Sequence, residues 1–522
     1  MDLIILCILA LLPIIVIFTG LVFLKLGGTL MAVIGWVLTG LIAVLFFHTS
    51  PEIVFYASWN GILSSFGISL MVFLTILQVT MMDITGALSR ITEYIRAVAA
   101  ERYEQIMILN VGFGSFLVSV GATPVTMLPP IMLALGFSPV AAIALPCLGY
   151  DPLTSFSLLA VPITLPASVF NLDAKEFGST IALFLPVIST GLALGMLWVA
   201  DGFTGVKKGF WIALVSGLTL GISAIVFVNI LPASAIGLVG VFSGLVTIIV
   251  LLLLRAVRRK RMNSGPVSGT GPRNPMPLWK AAFPWILLVT FGILISIPFI
   301  QAGLYSILGD AQKIHVVANK VVDLKLMNQA YFWVLVSTVL AAPVLVSSWN
   351  KAGTILSVWL KRAWSPTLAA MIFFAIAYVM DWSGRSVLNN TLTFAGGTDA
   401  YNMNAVIGLA LALAFGIGFP VISPSLGLFG SFISGSESSS NVMFYGILKK
   451  ATDVLNIDFM KVYAAHAVGG GVASGIAVAK ILNAAAVIDK LGLEGEVIRK
   501  LAPIAIILTA ITGLMLVVML IL

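Results

Sequence analysis

Glu437 stands in the run Ser434-Gly435-Ser436-Glu437-Ser438-Ser439-Ser440-Asn441, a break rich in hydroxyls between two apolar stretches. An ionisable residue inside an apolar segment is costly, so it is a functional candidate by default. A carboxyl here can carry a proton, and the same residue can also serve as the plain cap of a broken helix. Asp381 and Arg385 are four residues apart and can pair on one helical face. Asp151 follows Gly149-Tyr150 and precedes Pro152, where it reads either as a second acid or as an N-cap. His466 precedes Gly469-Gly470-Gly471, and Lys480 suits snorkelling to an interface. Glu437, Asp381, Asp151, Arg385 and His466 are therefore the candidates for proton coupling.

A second run, Ser119-Val120-Gly121-Ala122-Thr123-Pro124 followed by Pro129-Pro130, has the same small, hydroxyl-bearing character. Such runs break helices. Non-helical backbone at membrane depth survives only where protein or a water-filled cavity satisfies it. The exposed helix N-termini attract anions. Ser119, Gly121, Thr123, Ser434, Gly435, Ser436, Ser438 and Asn441 are the expected substrate-binding residues. The same runs would also allow close helix packing through small residues. No dense Lys/Arg cluster accompanies them, so a small monocarboxylate is the economical substrate. Cys7 and Cys147 lie in apolar stretches, and the three His have no metal-ligand spacing. No metal site, cofactor or nucleophile–base pair is expected, hence no enzyme.

The elements that must hold these residues follow from composition. The chain is 60% hydrophobic and 9% charged, against roughly 25% charged for a soluble domain. Apolar runs near the length of a spanning helix recur throughout, without the alternating segments of a β-barrel. The expected fold is an all-α polytopic membrane protein with roughly 12–14 transmembrane helices. The first apolar run begins at Leu3, directly after Asp2, and reads as a retained helix rather than a signal peptide.

Residues 255–280 carry seven Lys/Arg and no acid. They read as a cytoplasmic linker between an N-terminal half, 1–254, and a C-terminal half, 281–522. Lys207, Lys208, Lys25, Arg90, Arg96 and Arg102 agree with that side, as does a short loop with Lys351, Lys361 and Arg362. Met1 then lies outside, in a cell inner membrane. The net charge of +8 is a topology signal, not a nucleic-acid surface.

Met82-Asp83-Ile84-Thr85-Gly86 returns as Met380-Asp381-Trp382-Ser383-Gly384, and Phe113-Gly114-Ser115-Phe116-Leu117 returns as Phe429-Gly430-Ser431-Phe432-Ile433. The two motifs keep their order, one pair in each half. The charges place Asp83 and Asp381 at opposite membrane faces. Two inverted-topology repeats with broken helices or re-entrant hairpins are the expected architecture.

These residues resemble the lactate permease family, carriers of lactate and glycolate, over most of the chain. The resemblance is clearest in Ser423-Pro424 through Gly427, Phe429-Gly430 and Gly435-Ser436-Glu437-Ser438 to Asn441. Ala160-Val161-Pro162-Ile163 is similar to a Gly-Val-Pro-Ile of the family, and Ala464-Ala465-His466 with Gly469-Gly470 to its late Ala-Ala-Asn…Gly-Gly element. Met380–Gly384 resembles a segment that has Asn where this chain has Asp381, and Phe113–Leu117 the start of a Gly-rich signature. The chain departs at Val118, where the family has an acid, and at 475–480, where a Ser-Pro-Gln element is replaced. The resemblance implies proton symport and paired inverted repeats with hairpins. The expected function is proton-coupled uptake of a lactate- or glycolate-type acid. Its alternatives are a sodium-coupled carrier of another organic anion and, further off, a membrane enzyme or channel. The expected partners are the substrate anion, the coupling proton and the bilayer, with a homodimer as the oligomer if one forms.

Overall fold

The computed structural model describes residues 2–24, 26–98, 101–121, 124–261, 275–295, 297–490 and 492–522. Thr123 and linker residues 262–274 lie outside the described residues. Ten of the described helices are long and apolar enough to cross a membrane, and three shorter apolar helices accompany them. The chain is thus an all-α, multi-pass membrane protein. Its only described strands form two short antiparallel pairs, Lys313–Val317 with Lys320–Asp323 and Arg385–Leu388 with Thr391–Phe394. The hydropathy pattern does not announce either pair.

Several boundaries differ from the apolar runs. Lys351, Lys361 and Arg362 do not form a loop. They lie in a continuous helix, Trp349–Trp382, that carries Pro366 inside it. Apolar residues between the charges, such as Ile355 and Trp359, give that stretch a packing face, and the Trp359 indole donates to the Phe73 carbonyl at 2.7 Å. Because this helix ends at Trp382, Arg385 meets Asp381 from a strand rather than from the same helical face. Pro51–Ser64 and Phe66–Ile84 are two helices joined at Ser65. Leu185–Ile230 runs on through a kink at Asp201 and Gly202.

The kinked pair packs antiparallel on Trp349–Trp382. A Cβ on Gly61 would meet the Phe374 carbonyl at 2.6 Å, and Arg362 lies 3.7 Å from Asp83. At the far end Gly384 donates its N–H to the Thr49 hydroxyl at 3.0 Å.

The interior holds interrupted helical units. Phe419–Ser434 and Glu437–Leu455 form a helical hairpin. Pro139–Leu148 and Val161–Phe170 form one broken helix. Phe459–Ala473 and Val478–Val487 form another. Earlier in the chain, Gly114–Ser119 and Pro124–Ala134 are two further short helices.

Candidate functional site

The hairpin turn is written in its residues. Gly435 takes φ +69°, and its N–H donates to the Ser431 carbonyl at 2.8 Å, closing the first helix. Glycine adopts that left-handed cap without a steric penalty. Ser436 then caps the second helix, its hydroxyl accepting from the Ser439 N–H at 3.3 Å. Glu437 is thereby fixed in the first turn, where the helix dipole favours a carboxylate. A Cβ added at Gly435 would meet nothing within 4 Å, so the tip borders free space. Glu437, Ser438 and Asn441 are buried behind it.

What the tip faces is the interruption of the first broken helix. Thr154, Leu158, Leu159 and Ala160 all have positive φ, 44° to 56°, and none is glycine. Left-handed backbone at L-residues costs about 1–2 kcal/mol each, and such strain gathers at functional sites. Its effect here is to turn the polar residues toward the hairpin. Ser155 donates its hydroxyl to Glu437 Oε1, and Asn441 donates its side-chain N–H to the Pro162 carbonyl at 3.1 Å. The Ser189 hydroxyl pins the Pro152 carbonyl at 2.6 Å.

The second broken helix closes the arrangement. Its Gly470 sits where a Cβ would lie 2.7 Å from Ser431 Oγ and 3.3 Å from Glu437 Cγ. Its Gly475 donates its N–H to Asp151 Oδ2 at 2.9 Å, so the two interruptions touch. Four side-chain atoms around this crossing are buried without a partner: Asp151 Oδ1, Thr154 Oγ1, Ser431 Oγ and Asn441 Oδ1. A buried polar atom left unpaired costs about 1–3 kcal/mol. Their clustering marks a place built to receive hydrogen-bonding groups.

The residues singled out from the sequence therefore divide. Gly435, Ser436, Glu437, Ser438 and Asn441 share one tip, with Asp151 at the crossing beside it. His466, fully buried, joins the same hairpin through Ser440, 3.4 Å from its Nε2, and its Nδ1 has no partner. Ser434 belongs to the helix that ends at the tip. Ser119 and Gly121 do not meet this hairpin in the same way. The Ser119 hydroxyl donates to its own helix, at Ser115 O, 2.7 Å away. A Cβ on Gly121 (φ +87°) would meet Thr75 at 2.9 Å and Met71 at 3.6 Å.

Asp381 and Arg385 lie further along. Their side chains are 3.7 Å apart, and Arg385 also covers the Phe394 ring at 4.5 Å. Asp381 lines a cavity of about 10 Å³ with Val442 and Gly446, on the later turns of the helix that starts at Glu437.

Ser155 and Thr154 were not singled out from sequence. Their signal was present in Asp151-Pro152-Leu153-Thr154-Ser155-Phe156-Ser157, a hydroxyl-rich run after a Pro. A larger cavity of about 670 Å³ begins at Leu159, past this segment. It is lined by Leu159, Val161 and Thr164 of the first broken helix and by Gln301, Asn328 and Gln329.

A family model described as L-lactate permease matches residues 6–522. The chain is 25% identical over 458 residues to an L-lactate permease of Streptococcus iniae, covering 86% of this chain and 92% of that one. It is 24% identical over 545 residues to the glycolate permease GlcA of Escherichia coli (strain K12), covering 97% and 94%. An L-lactate permease of the same strain is 25% identical over 528 residues, covering 96% and 93%. With the match running from residue 6 to the last residue, the chain belongs to the L-lactate permease family.

Proposed function

We propose that this protein is a secondary transporter, not an enzyme, that imports a small 2-hydroxymonocarboxylate of the lactate or glycolate type together with a proton. The relatives named for lactate and glycolate supply the substrate class. The observation that carries the coupling is Glu437: buried at the hairpin tip, held by the Ser155 hydroxyl from the facing broken helix, and next to the free space at Gly435.

A carboxyl in this place exchanges a proton as the tip opens and closes. When it is protonated, its O–H can donate, and the adjoining hydroxyls of Ser436 and Ser438 can serve the substrate's carboxylate and 2-hydroxyl. Ser155 bonds Glu437 from the first interruption, Gly470 of the second broken helix lies against its Cγ, and Ser440, on the same hairpin helix as Glu437, bonds His466. The two broken helices and the paired Asp83 and Asp381 motifs support inverted repeats, with the basic linker between halves on the cytoplasmic side of the inner membrane. The cavity beside Leu159 and Val161 is the access route in this reading.

The test is counterflow and pH-driven uptake in proteoliposomes, using labelled lactate and glycolate against a panel of other organic acids. The wild type should accumulate a 2-hydroxy acid when the outside is made acid. Glu437→Gln should insert normally, lose that accumulation by more than roughly tenfold, and retain exchange. Unchanged, equally pH-driven accumulation by Glu437→Gln would sink the coupling role of this carboxyl. Accumulation that follows a sodium gradient instead would replace the proton as the coupling ion.

A further inference from the structure

We propose that Lys480 is the residue that takes the substrate's carboxylate, and that Asp151 competes with the substrate for it. This rests on the transport reading above and assigns a specificity-determining group within the same site. Lys480 is in the first turn of Val478–Val487, the half-helix that leaves the second interruption. Its ammonium donates to the Ser474 hydroxyl and sits 3.6 Å from the centre of the Tyr150 ring. Among the described residues, no carboxylate oxygen lies within 4.0 Å of it.

An ammonium in the interior of a membrane protein needs a counter-charge. The acid built into the same crossing is Asp151, which follows Tyr150 in the chain and accepts from Gly475, the neighbour of the Ser474 that the ammonium bonds. Asp151 already gives Oδ2 to the Gly475 N–H, while its Oδ1 is buried and unpaired. The ammonium, the helix N-terminus behind it and the unpaired Thr154 hydroxyl at the same crossing are donors that a carboxylate with an adjacent hydroxyl would use. The aromatic face of Tyr150 holds the cation until that anion arrives.

The experiment is equilibrium binding to the purified full-length protein, with labelled lactate, unlabelled glycolate, acetate, pyruvate and succinate as competitors, and uncharged lactamide as the control. Lys480→Gln should weaken binding of the carboxylate roughly 10- to 100-fold, the loss expected for a hydrogen bond to a charged group. Lys480→Arg should retain more of it, and lactamide should compete equally poorly against all variants. Asp151→Asn should bind the carboxylate more tightly than wild type, because the internal competitor is gone.

Lys480→Gln that binds with wild-type affinity overturns the proposal. So does a parallel loss in Lys480→Gln and Asp151→Asn that the double variant restores, which is the behaviour of a structural ion pair. If the wild type binds acetate or succinate and no 2-hydroxy acid, the substrate reading fails and the Lys480 arm is read with that acid. A wild type that binds none of the carboxylates overturns both.

Discussion

The two broken helices solve one problem in different ways. The first is interrupted over 149–160 by turns, two short 3-10 segments and four left-handed residues that are not glycine. The second is interrupted by a single 3-10 turn, Ser474–Ile476, with Ala477 in ordinary extended backbone. The long, strained interruption carries the hydroxyls and an acid: Asp151, Thr154, Ser155 and Ser157. The short one carries glycine, Gly475, and hands the chain to Lys480. One interruption supplies geometry and hydrogen bonds, and the other supplies close approach and a cation. A site made from both is asymmetric in chemistry.

The largest effect should come from closing their point of contact. A Cβ on Gly475 would lie 2.4 Å from Asp151 Oδ2 and 3.0 Å from the Cys147 carbonyl. The carbonyl belongs to a helix end and cannot rotate away. Gly475→Val is therefore expected to abolish uptake and to lower the melting temperature, whereas Gly495→Val, with open space around its Cβ, should do neither. Thermal melts and uptake assays on the two variants decide the matter. Wild-type uptake by Gly475→Val would mean that the two interruptions do not need to touch.

Next comes a pair of hydroxyls, one bonded to the hairpin tip and one bonded back to its own helix. Ser155→Ala removes the donor that Glu437 Oε1 receives. Losing one partner of a buried charged hydrogen bond costs about 1.5–3 kcal/mol, so pH-driven uptake should fall roughly tenfold or more. Ser119→Ala removes only a hydroxyl bonded back to its own helix, and should change uptake less than about threefold. Equal losses in the two variants would show that the bond to Glu437 gives Ser155 no special part in uptake.

What the sequence disclosed, and what it hid, follows the same division. Long apolar runs are read by everyone who counts to about 20 residues, and the run around Glu437 was legible because glycine, serine and an acid do not belong in a lipid-facing helix. The first interruption was harder to read. Leu158, Leu159 and Ala160 look like the start of an apolar helix, and nothing in their side chains foretells positive φ. That conformation is imposed by what surrounds them, such as the Phe156 carbonyl against Gly240 and the Leu159 carbonyl against Gly237. Ser155 was missed for this reason: its partner is 282 residues away. Asp381 drew attention as a repeated motif, and its placement away from the tip depends on packing that no spacing rule contains.

The smallest effect isolates the strain itself. Ala160 and Ala477 are both fully buried, and each stands at an interruption. Ala160 has φ 56°, and Ala477 has φ −61°. Changing either to glycine deletes the same methyl and gives the unfolded chain the same extra freedom. The lost burial and the added entropy destabilise both variants by comparable amounts. Only at Ala160 does the change also remove a left-handed penalty of about 1–2 kcal/mol. Ala160→Gly is thus expected to melt at or slightly above the wild-type temperature, and Ala477→Gly below it. The difference between the two melts, in the same detergent, measures the strain held in the first interruption. If the two variants melt together, Ala160 is not held against its preference, and the four left-handed residues are a consequence of the local turn rather than a device that aims Ser155 at Glu437.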